Sequence, residues 1–201
     1  MFLEGNDDVR FFSAVIIPLL RVHYPSVEII TYAGLKSVKV DKFVKSILSM
    51  QNDYILVADI DQEPNVRVKK RILLSRFDAL QGDHIMVIIK EIESWYLAGI
   101  DDHTSMKLGI KQLRQTDFVT KELFNRWIPR IYPSRIAFMV ELLKHFSIDI
   151  AERKNRSFKH FMARYHLGEQ QSLNAMAHWS TPMNAGREVL PERGENDLSR
   201  E

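Results

Sequence analysis

Tyr54-Ile55-Leu56-Val57-Ala58-Asp59-Ile60-Asp61 decides the fold class: an unbroken apolar run that stops on carboxylates. A strand with one wet face alternates polar and apolar residues, whereas a run without alternation reads as a strand buried on both faces of a parallel sheet. Outward from it, residues 27–32 and 84–89 have the same character, and Phe2-Leu3 running into Glu4 adds a shorter strand. Between the strands the period changes. Residues 8–22, 40–50 and 66–80 carry helical patterns, with Val40, Phe43, Val44, Ile47 and Leu48 at helical spacing and Asn65 placed to cap the third. The order β-α-β-α-β-α-β predicts an α/β fold. Its centre is a four-stranded, largely parallel sheet with helices on both faces and right-handed crossovers.

Beyond Glu93 the pattern is helical. Helices are expected over 92–97, 117–127 and 134–146, the last with Ile136, Met139, Val140 and Leu143 as its apolar stripe. A final helix begins near Ser157, with Phe158, Phe161, Met162 and Tyr165 spaced along one face; such a stripe reads as core rather than as a platform for stacked bases. From Gly168 onward Pro182, Gly186, Pro191 and Gly194 punctuate a polar stretch, which reads as poorly ordered. The chain thus divides into an α/β half over 1–100, a helical region over 101–167 and a tail over 168–201.

Composition narrows the class. With 45% hydrophobic and 27% charged residues in 201, collagen-like, low-complexity and wholly disordered readings fail. The absence of cysteine excludes disulfides, thiolate metal sites and cysteine nucleophiles, and points to a reducing cytoplasm. The apolar run over 11–22 is short and interrupted by Ser13, Pro18 and Arg21, so no membrane span is expected; without a basic lead or a small-residue cleavage site, no secretion signal is expected either. The formal charge of +2 conceals an uneven distribution. Residues 1–102 hold 12 Lys+Arg against 15 Asp+Glu, residues 103–167 hold 13 against 5, and residues 168–201 hold 3 against 6. A basic segment of +8 beside an acidic half suits a polyanion partner; a solvated helical face is its plainer use.

Ligands of open parallel sheets sit outside the carboxyl ends of the strands. Here the first strand ends in Glu4-Gly5-Asn6-Asp7-Asp8, the third in Asp59-Ile60-Asp61 and the fourth in Lys90-Glu91-Ile92-Glu93. First and third strands are commonly neighbours, which brings Glu4 towards Asp59 and Asp61, with Asp8 one turn further on. Converging carboxylates repel unless a cation neutralises them or some keep protons. Mg²⁺ or Mn²⁺ is the expected cofactor, because a hard cation takes carboxylates, waters and phosphate oxygens together and balances charge in phosphoryl chemistry.

Phe2-Leu3-Glu4-Gly5 with Asp8, followed by Leu56-Val57-Ala58-Asp59-Ile60-Asp61, resembles the Toprim domain of topoisomerases, bacterial primases and nucleases of the overcoming-lysogenization-defect type. Further on, Glu91-Ile92-Glu93-Ser94-Trp95-Tyr96-Leu97 is similar to an E-x-E-x-W-x-L element of small Toprim-like proteins linked with mobile elements and phage defence. The resemblance covers residues 1–100. It implies a Toprim-like sheet and a metal-dependent nuclease. Glu4 becomes the general acid/base or a metal ligand, and Asp59 and Asp61 become Mg²⁺ ligands. Asp8 and Glu93 match acidic positions of nuclease-type members, Gly5 allows close approach of phosphate, and Lys90 could stabilise developing charge. Arg67, Lys69, Lys70 and Arg71, with Lys159, are candidate nucleic-acid contacts. One departure is that only Met1-Phe2-Leu3 precede Glu4, fewer than a Toprim first strand usually has.

The same residues have structural uses. Glu4 and Asp8 suit a helix N-terminus. Asp59 and Asp61 could cap the helix that starts near Asn65, and Glu93 with Trp95 could simply open a helix. Two other functions compete with the nuclease: a catalytically inactive Toprim-like protein that binds nucleic acid or a partner, and a receiver-like phosphoacceptor built on Asp7, Asp8, Asp59 and Lys90. No two of the seven histidines have metal-ligand spacing, so zinc is not expected. No G-x-S-x-G and no P-loop is present, so an ATP-driven partner has to be a separate ATPase or defence-system subunit. Expected partners are DNA or RNA, without a membrane and with an oligomer left open.

Overall fold

The structure is a computed structural model and describes residues 1–167, so the tail read over 168–201 lies outside the described residues. Its centre is a sheet of β1 (Phe2–Leu3), β2 (Ile30–Thr31), β3 (Leu56–Asp59) and β4 (Ile85–Ile88). All pairings are parallel and the order is β2-β1-β3-β4, which makes the first and third strands neighbours and sets every carboxyl end on one edge.

The apolar runs are continuous because both faces are covered. Along each strand the side chains alternate between separate cores. Leu3, Val57, Met86 and Ile88 enter one with Phe11, Phe12, Trp95 and Phe161. Phe2, Leu56, Ala58, Ile85 and Val87 enter the other, with Val40 and Val44 of α3 (Ser37–Ser49) and Leu73 of α4 (Val66–Arg76). Asn65 caps α4 as expected, its Oδ1 accepting from the Val68 N–H at 3.0 Å. The strand read over 27–32 shrinks to two residues. β2 is an edge strand, and its one neighbour, β1, offers only Phe2 and Leu3 for pairing.

The helix expected over 8–22 is not one regular helix. It runs as α1 (Asn6–Phe11), a π-helical turn (Phe12–Ile16) and α2 (Ile17–Leu20). Pro18 is the cause: it has no N–H, and its ring crowds the carbonyl four residues back. The chain widens instead, and the Ile17 N–H bonds to the Phe12 carbonyl five residues earlier. The wider turn keeps Phe11, Phe12, Val15 and Ile16 all inward.

After β4 follow α5 (Glu93–Ala98), α6 (Asp102–Leu108), α7 (Lys121–Arg126), α8 (Arg135–Lys144), α9 (Ile148–Lys154) and α10 (Arg156–Arg164). Side chains of Asp101, Thr120, Ser134, Ser147 and Asn155 accept from the first free N–H groups of α6 to α10. The helix expected over 117–127 starts late because Thr116 and Asp117 are bound elsewhere. The Thr116 N–H donates to the Lys154 carbonyl at 2.9 Å and the Asp117 carboxylate receives Arg156 at 2.8 Å. On α8 the expected stripe is out of phase: Phe138, Met139 and Leu142 are buried, while Ile136 and Val140 are 54% and 42% exposed. Gly99 is needed for packing, since a Cβ there would stand 2.4 Å from the Phe146 ring. Phe158 and Phe161 are fully buried against Phe12 and Trp95, so the helical region and the sheet share one core across residue 100. No helix among the described residues is long and apolar enough to cross a membrane.

Candidate active site

The carboxyl edge of the sheet brings Glu4, Asp8, Asp59 and Glu93 together. Glu4 directly follows β1 and Asp59 ends β3; the Glu4 carboxylate accepts the Asp59 N–H at 3.4 Å. Asp8 sits in the first turn of α1, and its Oδ2 accepts the Gly5 N–H at 3.0 Å, closing a cap on that helix. Gly5 itself is extended, and a Cβ added there would meet Asp8 only at ordinary contact distance, so the protein's own packing makes no demand for glycine.

Charge in this cluster is unbalanced. Burial, reinforced by Glu4 and Glu93, pushes the Asp8 carboxyl up to about 7 against the opposing pull of the Gly5 N–H. Asp59 is held well above the usual carboxylate range, by burial first and then by Asp8, Glu4 and Glu93. Its Oδ1 is buried without a hydrogen-bond partner. Tyr32 donates to the Val57 carbonyl at 3.2 Å, and burial together with Glu4, Asp8 and Asp59 pushes its phenol up.

A measurable slope with pH follows. A carboxyl with a raised folded-state value contributes stability that is complete below its unfolded value of about 4 and is lost as pH rises through the folded value. For Asp8 that window ends at about 7. The metal-free protein is therefore expected to melt lower at pH 8 than at pH 5.5, with Asp8→Asn flattening the slope, as thermal melts in EDTA will register.

The other side of the cluster is compensated, and by a residue the sequence reading did not single out. Arg135, the first residue of α8, pairs through Nη1 with Asp7 and through Nη2 with Glu93. Arg10 binds the second Asp7 oxygen at 2.6 Å. Burial raises Asp7, but the bonds from Arg135 and Arg10 outweigh it and leave the carboxyl below its ordinary value. Glu93 stays above its ordinary value because burial outweighs the help from Arg135. A cation at the first position of a helix opposes the helix dipole. That misplacement is the one sequence signal that could have marked Arg135.

Asp61 does not join Glu4 and Asp59. Its backbone is left-handed, with φ 54°, and its carboxylate turns outward to pair with Lys69. Lys90, also left-handed with φ 66°, lies with Asp61, Glu91 and Glu122 around a cleft of about 310 Å³ rather than against Asp59, where a receiver-like site would need it. Glu91 is engaged in structure, accepting the Lys121 N–H at the start of α7. Arg67 and Arg71 are exposed on α4, Lys70 is tied to the Gly82 carbonyl at 2.9 Å, and Lys159 is exposed on α10. No protein-family model, curated protein or solved structure matches the chain. What the site can do therefore rests on its own chemistry.

Among the described residues, no group of three or more His, Asp or Glu side chains already stands at cation-binding spacing. The donor set nonetheless fits a hard divalent cation. It offers acidic oxygens from three side chains, one of them unpartnered, on an edge short of positive charge. Glu4, Asp8 and Asp59 are the residues that would hold such an ion.

Proposed function

We propose that the protein is a Mg²⁺- or Mn²⁺-dependent phosphodiester-cleaving enzyme of Toprim type that acts on nucleic acid. The observation that carries this reading is the uncompensated trio Glu4, Asp8 and Asp59 at the carboxyl edge of a parallel sheet. Ionising these buried acids side by side is costly, and a cation offsets that cost. When bound, the ion supplies charge stabilisation for the attacking and leaving oxygens of a phosphodiester.

The chain's own groups supply the rest. Glu4, placed next to Asp59 but outside its strand, takes the proton from the attacking water on the carboxylate oxygen that does not hold the ion. Asp8 and Asp59 would hold the cation as carboxylates, and Asp8 loses its proton as pH rises through about 7, so cation binding is expected to strengthen over that range. Lys107, Lys111, Arg114, Arg126 and Arg130 are exposed in the basic helical region and suit a phosphate backbone.

The test is incubation with supercoiled, linear and single-stranded DNA and with RNA, in Mg²⁺, Mn²⁺ or EDTA. Cation-dependent cleavage is expected, reduced at least about 100-fold in Glu4→Gln, the usual minimum for a lost general base. Cleavage that persists in EDTA, or equal rates for Glu4→Gln and wild type, overturns the reading.

A further inference from the structure

We infer that Arg135 is a built-in counter-cation that takes Glu93 and Asp7 out of the metal-binding set, so that the edge accepts a single divalent ion on Glu4, Asp8 and Asp59. The inference rests on the cation reading above and goes further by fixing which acids are ligands and how many ions they hold.

The geometry divides the acids cleanly. Arg135 spans Asp7 of α1 and Glu93 of α5, using one Nη on each. The Glu93 side chain is 4% exposed and that of Arg135 24%, so this is an interior bridge and not a surface pair. Its guanidinium carbon stands 5.7 Å from the Phe124 ring centroid, and its Nε is buried without a hydrogen-bond partner. Asp7 is further committed through Arg10 and through its carbonyl, which accepts the Tyr96 hydroxyl at 2.9 Å. Glu4, Asp8 and Asp59 have no basic side chain bound to them among the described residues.

An arginine keeps its charge at any accessible pH and holds two carboxylates in a fixed fork. A cation approaching Glu93 would have to displace that fork and leave a half-buried guanidinium facing it. Repulsion between the two positive charges therefore excludes a second ion for as long as Arg135 is in place. Because Arg135 sits on α8 while its partners sit on α1 and α5, it acts as a positioning residue that joins the helical region to the sheet edge.

The experiment counts Mn²⁺ bound per chain, by electron paramagnetic resonance of free Mn²⁺ and by calorimetry, on the full chain. Wild type is expected to bind one ion. Arg135→Gln releases Glu93 and gains a second, weaker ion; Arg135→Gln with Glu93→Gln returns to one; Arg135→Lys, which keeps the charge, stays at one. Circular dichroism checks that each variant is folded. If Arg135→Gln does not fold, wild type and Glu93→Gln decide between them, since both are expected to keep one ion. A wild-type count of two that falls to one in Glu93→Gln overturns the role of Arg135 and leaves the proposed function standing. A second ion that fails to appear in folded Arg135→Gln overturns it likewise. A wild-type count of zero removes the proposed function and this inference with it.

Discussion

Asp59→Asn is expected to raise the melting temperature of the metal-free protein while ending its response to cations. Asp59 closes β3 with one carboxylate oxygen buried and unpartnered, among Glu4, Asp8 and Glu93. Each neighbour disfavours its ionised form, and burial disfavours it more. Asparagine keeps the shape, removes the repulsion and offers an amide that can donate to the acids around it. Relief of one uncompensated buried polar group stabilises by about 1–2 kcal/mol. In a protein of this size that is a rise of roughly 2–8 °C. The gain should appear at pH 8 and vanish towards pH 4, where the wild-type carboxyl already holds its proton in both states.

Under the proposed function the same substitution removes a cation ligand. Wild type should be stabilised by millimolar Mn²⁺ through mass action, Asp59→Asn should not, and cation-dependent cleavage should fall more than about 100-fold, beyond the usual cost of losing an outer-shell partner. Melts in EDTA and in Mn²⁺, with the cleavage assay, measure all three. A gain in stability joined to a loss of function marks groups held together for chemistry. A destabilised Asp59→Asn that still cleaves would mean the carboxylate is structural.

How far the site could be read from sequence depended on how local each determinant was. Glu4 and Asp59 were legible because a strand end is a fixed place: both follow apolar runs that pair side by side, and their proximity is a consequence of sheet order. Asp61 was misplaced by the same reasoning carried two residues too far. The ladder stops at Asp59, the backbone at Asp61 is left-handed, and alternation no longer says where a side chain points. Arg135 was out of reach for another reason. It lies 128 residues from Asp7, on a helix whose core face the apolar period placed out of phase. The π-helical turn was written plainly as Pro18, yet a proline inside an apolar stretch signals a break without saying whether the helix ends or widens.

Trp95→Ala is expected to be the most damaging single substitution in the core. Trp95 is fully buried and stacks on Phe12 at 5.7 Å, with the rings of Phe11, Phe158 and Phe161 edge-on around it. Its indole N–H donates to Ser157 Oγ at 2.9 Å, and Ser157 passes the bond on to Asn155, which reaches Ser94 and Thr116. Truncation to alanine opens a cavity and cuts this buried chain at its head, costing about 3–5 kcal/mol. That is a large fraction of a typical domain's stability of about 5–15 kcal/mol. The melting temperature should fall by roughly 6–20 °C. Trp95 stands two residues after Glu93 on the short α5, so packing and site geometry share one turn of helix. Ser157→Ala separates them. It strands the buried indole N–H at a cost of about 1–3 kcal/mol but leaves the rings packed, so its melt should drop while its Mn²⁺ count stays that of wild type. A Ser157→Ala protein that melts like wild type would show that the aromatic packing alone holds α10 against α5.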